Sequence, residues 1–220
     1  MQWSLAQGLN PEAGSHPVCS DPHEIAAARR AGERSLQEFP YYRARYGERG
    51  RLFALSDGAW LVTLCAGEWP HVQQQVLWLG GVLASRGMPR LLLERHLRVL
   101  HAELTRELPQ HGGRYDALLR AADHLRELRR AALSDAAFQQ LARDFADQVG
   151  SDGQARLPGM GEILVAAVAD ESAGIARAVR SVEEWCADPG RFPGSWRAAV
   201  RATLAQARRS VSPSAASAAV

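Results

Sequence analysis

Apolar residues in this chain recur at three- and four-residue steps over most of its length, the spacing that gathers them on one face of an α-helix. Leu93, Leu97, Leu100, Leu104 and Leu108 form the clearest stripe, behind a Pro89 suited to a first helical turn. Val72, Val76, Leu79 and Leu83 form a narrower one after Trp69-Pro70, widened by Trp78 and Val82 and closed by Gly87. Further stripes run through Tyr115, Leu118, Ala122, Leu125 and Leu128, and through Phe138, Leu141, Ala142, Phe145 and Val149 behind a capping Ser134. No segment alternates apolar and polar residues between turn signals, so no strand is predicted. The pattern specifies an all-α protein, an orthogonal bundle of about eight helices with no sheet.

Turn residues set the boundaries. Pro11, Gly14 and Pro17 leave residues 1–21 as an irregular arm, after which Asp21 caps a helix with Pro22 at its first position, running to about Glu38. Gly47 and Gly50 predict a short helix and a turn after Pro40, and Ser56 is placed to cap the next helix through Trp60, Leu61, Leu64 and Cys65. Gly150 to Gly161 is the longest interior break and a candidate subdomain boundary, at 150–161, within a helical domain spanning 22–209. Glu162 to Cys186 reads as one long helix or two, with Asp170 as an internal cap, and Ser195 caps the last helix to about Arg209. Residues 210–220 hold only Ser, Val, Pro and Ala, too little apolar bulk to offset the entropy of ordering, and predict a disordered tail.

Composition narrows the setting. A chain of 220 residues, 46% of them hydrophobic, can bury a core without covalent staples. The cysteines Cys19, Cys65 and Cys186 are odd in number and far apart, which argues against a disulfide framework and for a reducing compartment, the cytoplasm. All 26 basic residues are arginine, which reads as codon bias in a GC-rich bacterial genome. Against 24 acidic residues they leave +2, too little to hold nucleic acid by bulk charge. No stretch approaches the roughly 20 apolar residues of a membrane span, and the first residues lack the basic end and apolar run of a signal peptide, so no membrane association is expected.

Candidate chemistry falls in three places. His16, Cys19 and His23 in the arm carry metal-ligand types at close spacing, without a specified fourth ligand. His71, Gln75, Trp78 and Val82 share one face of the helix that contains Gly80-Gly81, and an imidazole, an amide and an indole beside a glycine notch are ingredients of a mostly apolar pocket. His96 and His101 lie on opposite margins of the leucine stripe, so a single helix does not aim both at one ion. Phosphate loops, nucleophile elbows, paired Cys-x-x-Cys and His-Glu-x-x-His motifs are absent from the sequence, and no catalytic residue is named. The pairs Asp170-Glu171 and Glu183-Glu184 read as caps and solvated faces, and Cys65 and Cys186 as small core residues.

The stretch from Tyr46-Gly47-Glu48-Arg49-Gly50 through Asp57, Trp78-Leu79 and Ser85-Arg86-Gly87 resembles the helical modules of bacterial sensory proteins, including those beside cobalamin-binding domains. The likeness covers under half the chain; where the cobalamin cap helices carry an adjacent Glu-His pair after a Trp, Arg95 here separates Glu94 from His96. The resemblance implies a regulatory role. The expectation is a non-catalytic regulatory or adaptor protein acting through a partner protein or a small apolar ligand. One rival is a binder of haem or another tetrapyrrole in a pocket near His71, Trp78 and His96, and another is an enzyme whose site is assembled from scattered residues.

Overall fold

The computed structural model describes residues 3–212, which hold nine α-helices and one two-stranded sheet. The predominantly helical architecture follows the stripes. The sheet is a correction to the expectation of none: β1 (Trp3–Leu5) pairs antiparallel with β2 (Pro17–Cys19), Ser4 opposite Val18. Strands of three residues are too short to carry an alternating pattern, so they left no signal among the turn residues of the arm. The returning arm seats Ala6, Val18 and Cys19 out of solvent.

The helices are α1 (Pro22–Glu38), α2 (Pro40–Leu64), α3 (Trp69–Ser85), α4 (Arg90–Glu107), α5 (Asp116–Ala132), α6 (Asp135–Arg156), α7 (Met160–Ser172), α8 (Ala178–Cys186) and α9 (Gly194–Ser210). Asp21 caps α1 as its position predicts, its carboxylate accepting from the His23 amide at 2.8 Å. Ser134 caps α6 through the Ala137 amide. The short helix and turn expected after Pro40 are present, since the backbone leaves helical geometry at Gly47 (φ 56°, ψ −141°) and α2 is two helices joined there; Ser56, however, sits buried in mid-helix, donating to the Phe53 carbonyl rather than capping. Gly150 (φ 66°, ψ −174°) likewise joins two helices within α6, so the expected break begins where its glycine places it but is mostly helical, and Leu157–Gly159 separates α6 from α7. Both positions need a positive φ that glycine adopts without steric cost. Asp170 lies inside α7 and Pro193, not Ser195, precedes α9. Of the tail expected at 210–220, Ser210 ends α9 and the Ser212 amide donates to the Ala132 carbonyl; 213–220 lie outside the described residues.

The chain forms two compact units, and the division falls within α3, α4 and α5 rather than at 150–161. The first takes the chain through Leu77 and again Leu93–His124. Its core joins Leu97, Leu100 and Leu104 of α4, Tyr115 and Leu118, Ala27, Ala28 and Ala31 of α1, and Leu61 and Val62 of α2, all buried. Small residues let α1 and α2 approach closely: a Cβ on Gly58 would stand 3.5 Å from that of Ala28. Glu103 of α4, almost wholly buried, receives Arg30 at 2.8 Å and Arg34 at 2.7 Å from α1, and Arg106 of its own helix. Burial pushes its carboxyl upward, but these guanidiniums outweigh it and hold it below the usual range.

The second unit comprises Trp78–Leu92 and the chain from Leu125 onward. Here α7 is buried along nearly its whole length, Met160 through Asp170, with α6, α8 and α9 packed against it. A helix apolar all round belongs in a core. Apart from the half-buried Glu162, the charge in that run is the buried Asp170, which accepts from the Arg90 amide at 2.8 Å and the Arg90 guanidinium at 2.6 Å. Among the described residues no helix is long and apolar enough to cross a membrane.

Candidate ligand site

A cleft of about 340 Å³ opens within the second unit, and its walls are α6, the link after it and the first turn of α7. Helical spacing places Gln139, Ala142, Arg143, Ala146 and Val149 along one edge of α6, with Phe145 beside them. Beyond the Gly150 kink the last turn of α6 doubles back, and Gln154 fastens it by donating to the Ala146 carbonyl at 3.1 Å. Leu157 and Pro158 follow, and Gly159 (φ 75°, left-handed) opens α7. The approach of α7 to α6 is close enough that a Cβ on Gly161 would lie 2.6 Å from the Ala142 carbonyl oxygen, so only glycine fits.

The lining mixes apolar and polar surface: Phe145, Leu157 and Met160 lie almost wholly buried behind it, Val149 is half-buried at its edge, and the alanines and glycines supply its room. Four polar side chains edge it, Gln139, Arg143, Gln154 and Glu162. Arg143 donates to Gln140 at 2.9 Å and has no carboxylate partner among the described residues, whereas the half-buried Glu162 is engaged elsewhere. Behind the wall Phe145 meets Trp196 edge-on at 5.2 Å, Trp196 stacks on Phe192 at 5.0 Å, and Phe192 meets Trp185. These rings make the cleft's back wall stiff.

No protein-family profile, curated protein or solved structure matches this chain.

The residues singled out in the sequence lie elsewhere. His71 is exposed, Gln75, Gly81 and Val82 are half-buried, Gly80 is buried, and Trp78 turns outward with 59% of its surface exposed. A Cβ on Gly81 would meet nothing within 4 Å, so no close neighbour explains that glycine. Gly80, Gly81, Trp78 and Val82 belong to the second unit, and His71, Gln75 and His96 to the first. His96 faces α1 and α2. Its Nδ1 lies 3.0 Å from Ser35 Oγ, whose single proton goes to the Ala31 carbonyl, so the hydroxyl accepts from Nδ1–H. Its Nε2 is thereby a bare acceptor, buried without a partner, directed at Gly58 and Ala28. Burial drives its pKa down to about 4. His101 pairs with Asp116 at 3.2 Å.

The arm's candidate metal ligands also part company. His23 reaches Glu107 at 2.9 Å, which raises its pKa; His16 meets the Trp60 ring edge-on; Cys19 is buried in β2. No group of three or more metal-ligating side chains is placed to hold an ion among the described residues. Cys19 and Cys65 both have pKa values raised to about 12, chiefly by burial, with the carboxylate of Glu24 adding to it. That buried Glu24 accepts from Tyr115 Oη at 2.9 Å and lies 3.1 Å from Arg114. Arg126, Arg129 and Arg130 converge on Asp135, and Arg208 on Glu171.

The cleft residues Phe145 and Val149 read in the sequence as part of an apolar helical stripe, and Arg143 carried no signal. The signal that could have found them is the run Gly150, Gly153, Gly159 and Gly161: glycines this dense around two helix ends mark a tight backbone approach as readily as a boundary.

Proposed function

We propose that this chain is a non-catalytic regulatory protein that takes a small, mainly apolar ligand into the cleft between α6 and α7. The observation that carries the reading is the cleft itself, about 340 Å³, at the small end of the range for ligand pockets, with Val149, Ala142 and Ala146 of α6 along it. The non-catalytic part draws support from how the buried titratable groups are used. Asp170, Glu103 and Glu24 tie helices together, and the thiols of Cys19 and Cys65 are held protonated. The resemblance to sensory modules fits a role in which occupancy of the cleft changes what a partner protein meets.

The test is titration with 1-hexanol followed at the Met160 methyl resonance. Binding should shift that signal and be lost in Ala146→Phe, which fills the cleft from its α6 wall. No shift at any soluble concentration counts against the reading. For the tetrapyrrole rival, His96 Nε2 would have to leave its seat against Gly58 and Ala28 to reach an iron. The purified protein should be colourless, with no change of spectrum in His71→Ala or His96→Ala.

A further inference from the structure

We infer that the outward face of α9 docks on the phosphate backbone of duplex nucleic acid through Arg197, Arg201 and Arg209. The inference goes beyond the α6–α7 cleft and does not depend on it.

Charge is unevenly spread over the second unit. Helix α9 carries four arginines and no acidic residue, whereas acids outnumber arginines in each of α6, α7 and α8. The whole chain nets only +2, so this one helix holds a local excess that the total conceals. Of its arginines Arg208 meets a carboxylate, Glu171 at 2.7 Å, while Arg197, Arg201 and Arg209 have none among the described residues. Arg197 keeps its Nε buried without an acceptor, and Arg201 and Arg209 stand exposed. The arginines of α5 show the contrast, since Arg126, Arg129 and Arg130 are all drawn to Asp135.

Helical spacing sets Arg197, Arg201 and Arg208 along one side of the outward surface, with the exposed Ala198 and Ala205 beside them and Arg209 at the far end. The row runs for about 18 Å along the axis. Small side chains between the guanidiniums leave a bulky polyanion free to come close.

The rest of α9 decides among anionic partners. Trp196, Val200 and Leu204 are buried, so the helix turns its apolar side to the core and has nothing to insert into a bilayer. A protein interface draws its energy from large anchors in a desolvated centre, and alanine supplies none. Single strands bind by stacking bases on exposed aromatic rings, which this face does not carry. A duplex needs only cations: it presents one phosphate charge per about 1.7 Å of its axis, and neutralising those charges releases counterions.

The experiment follows the fluorescence anisotropy of a labelled DNA duplex of about 20 base pairs, mixed in sequence, with the full chain across a salt series. The duplex should bind at low salt, and the logarithm of its affinity should fall against that of salt with a slope of about −3, one unit for each arginine placed on a phosphate. Arg201→Gln and Arg209→Gln, at exposed positions outside the ion pairs of the fold, should each weaken binding about tenfold and reduce the slope by about one. Arg180→Gln on α8 removes the same charge from the same unit and should change neither. An equal loss in Arg180→Gln overturns the assignment to α9, because bulk charge then carries the binding. Tighter binding of a single strand of the same length, of polyglutamate or of vesicles rich in phosphatidylserine overturns the duplex as the occupant. Absence of duplex binding at about 50 mM salt overturns the inference outright.

Discussion

His96 shows how a single side chain can be chemically conspicuous and structurally ordinary. A histidine beside a leucine stripe invites a ligand or a proton-transfer role, yet here it is a neutral acceptor wedged between α1 and α2, with its pKa at about 4. In the unfolded chain the same imidazole titrates near 6.5. Between those values the unfolded state holds the proton and the folded state does not, so stability is full above pH 6.5 and falls as pH drops toward 4. The loss should reach up to about 3 kcal/mol, read from denaturant midpoints across that window. His96→Gln should flatten the slope, and an unchanged slope would place the titrating group elsewhere. The thiols give a second check at this scale. With pKa values of about 12, Cys19 and Cys65 should stay unmodified by a thiol-specific disulfide reagent at pH 8 in the native state, and react on unfolding.

Among the elements, the joint between α6 and α7 concentrates the most constraint. Gly161 touches backbone, not a flexible side-chain end, so Gly161→Ala cannot be relieved by a rotamer change and must push α7 away from Ala142. It should destabilise the protein by about 1–3 kcal/mol, as overpacking does, and weaken ligand binding at the cleft as well. Gly8→Ala, where a Cβ meets nothing within 4 Å, serves as the control in the same thermal measurement. The same joint explains why element boundaries were the least legible feature. Gly47 and Gly150 are turn residues by local rule and do leave helical geometry, but a new helix starts directly after each, so the breaks are far narrower than the runs of Gly, Asp and Pro around them suggest. Ser56 was legible as a cap only on the assumption that the chain turned before it.

For the whole molecule, α3, α4 and α5 pass through the division between the two units without interruption. Asp170→Ala strands the buried Arg90 charge within the second unit and should cost about 3–5 kcal/mol. Backbone amide exchange in the second unit should report the lowered stability, and unchanged protection there would show that Arg90 does not depend on Asp170. What the sequence determined by itself is the class of structure and its faces. The stripes through Leu93 to Leu108 and Phe138 to Val149, the Asp21 and Ser134 caps and the core position of Cys186 stand, because helical periodicity and capping are local properties of neighbouring residues, while Cys65 is only half-buried. Only the tertiary structure decided the β1–β2 pairing, the partners of His96, Glu103 and Asp170, and the position of the cleft. Each depends on atoms brought together from distant parts of the chain, and no spacing along one helix encodes which neighbour will face it. The Gly150–Gly161 stretch marks that limit, since its residues announced a break while their packing also shaped a cleft.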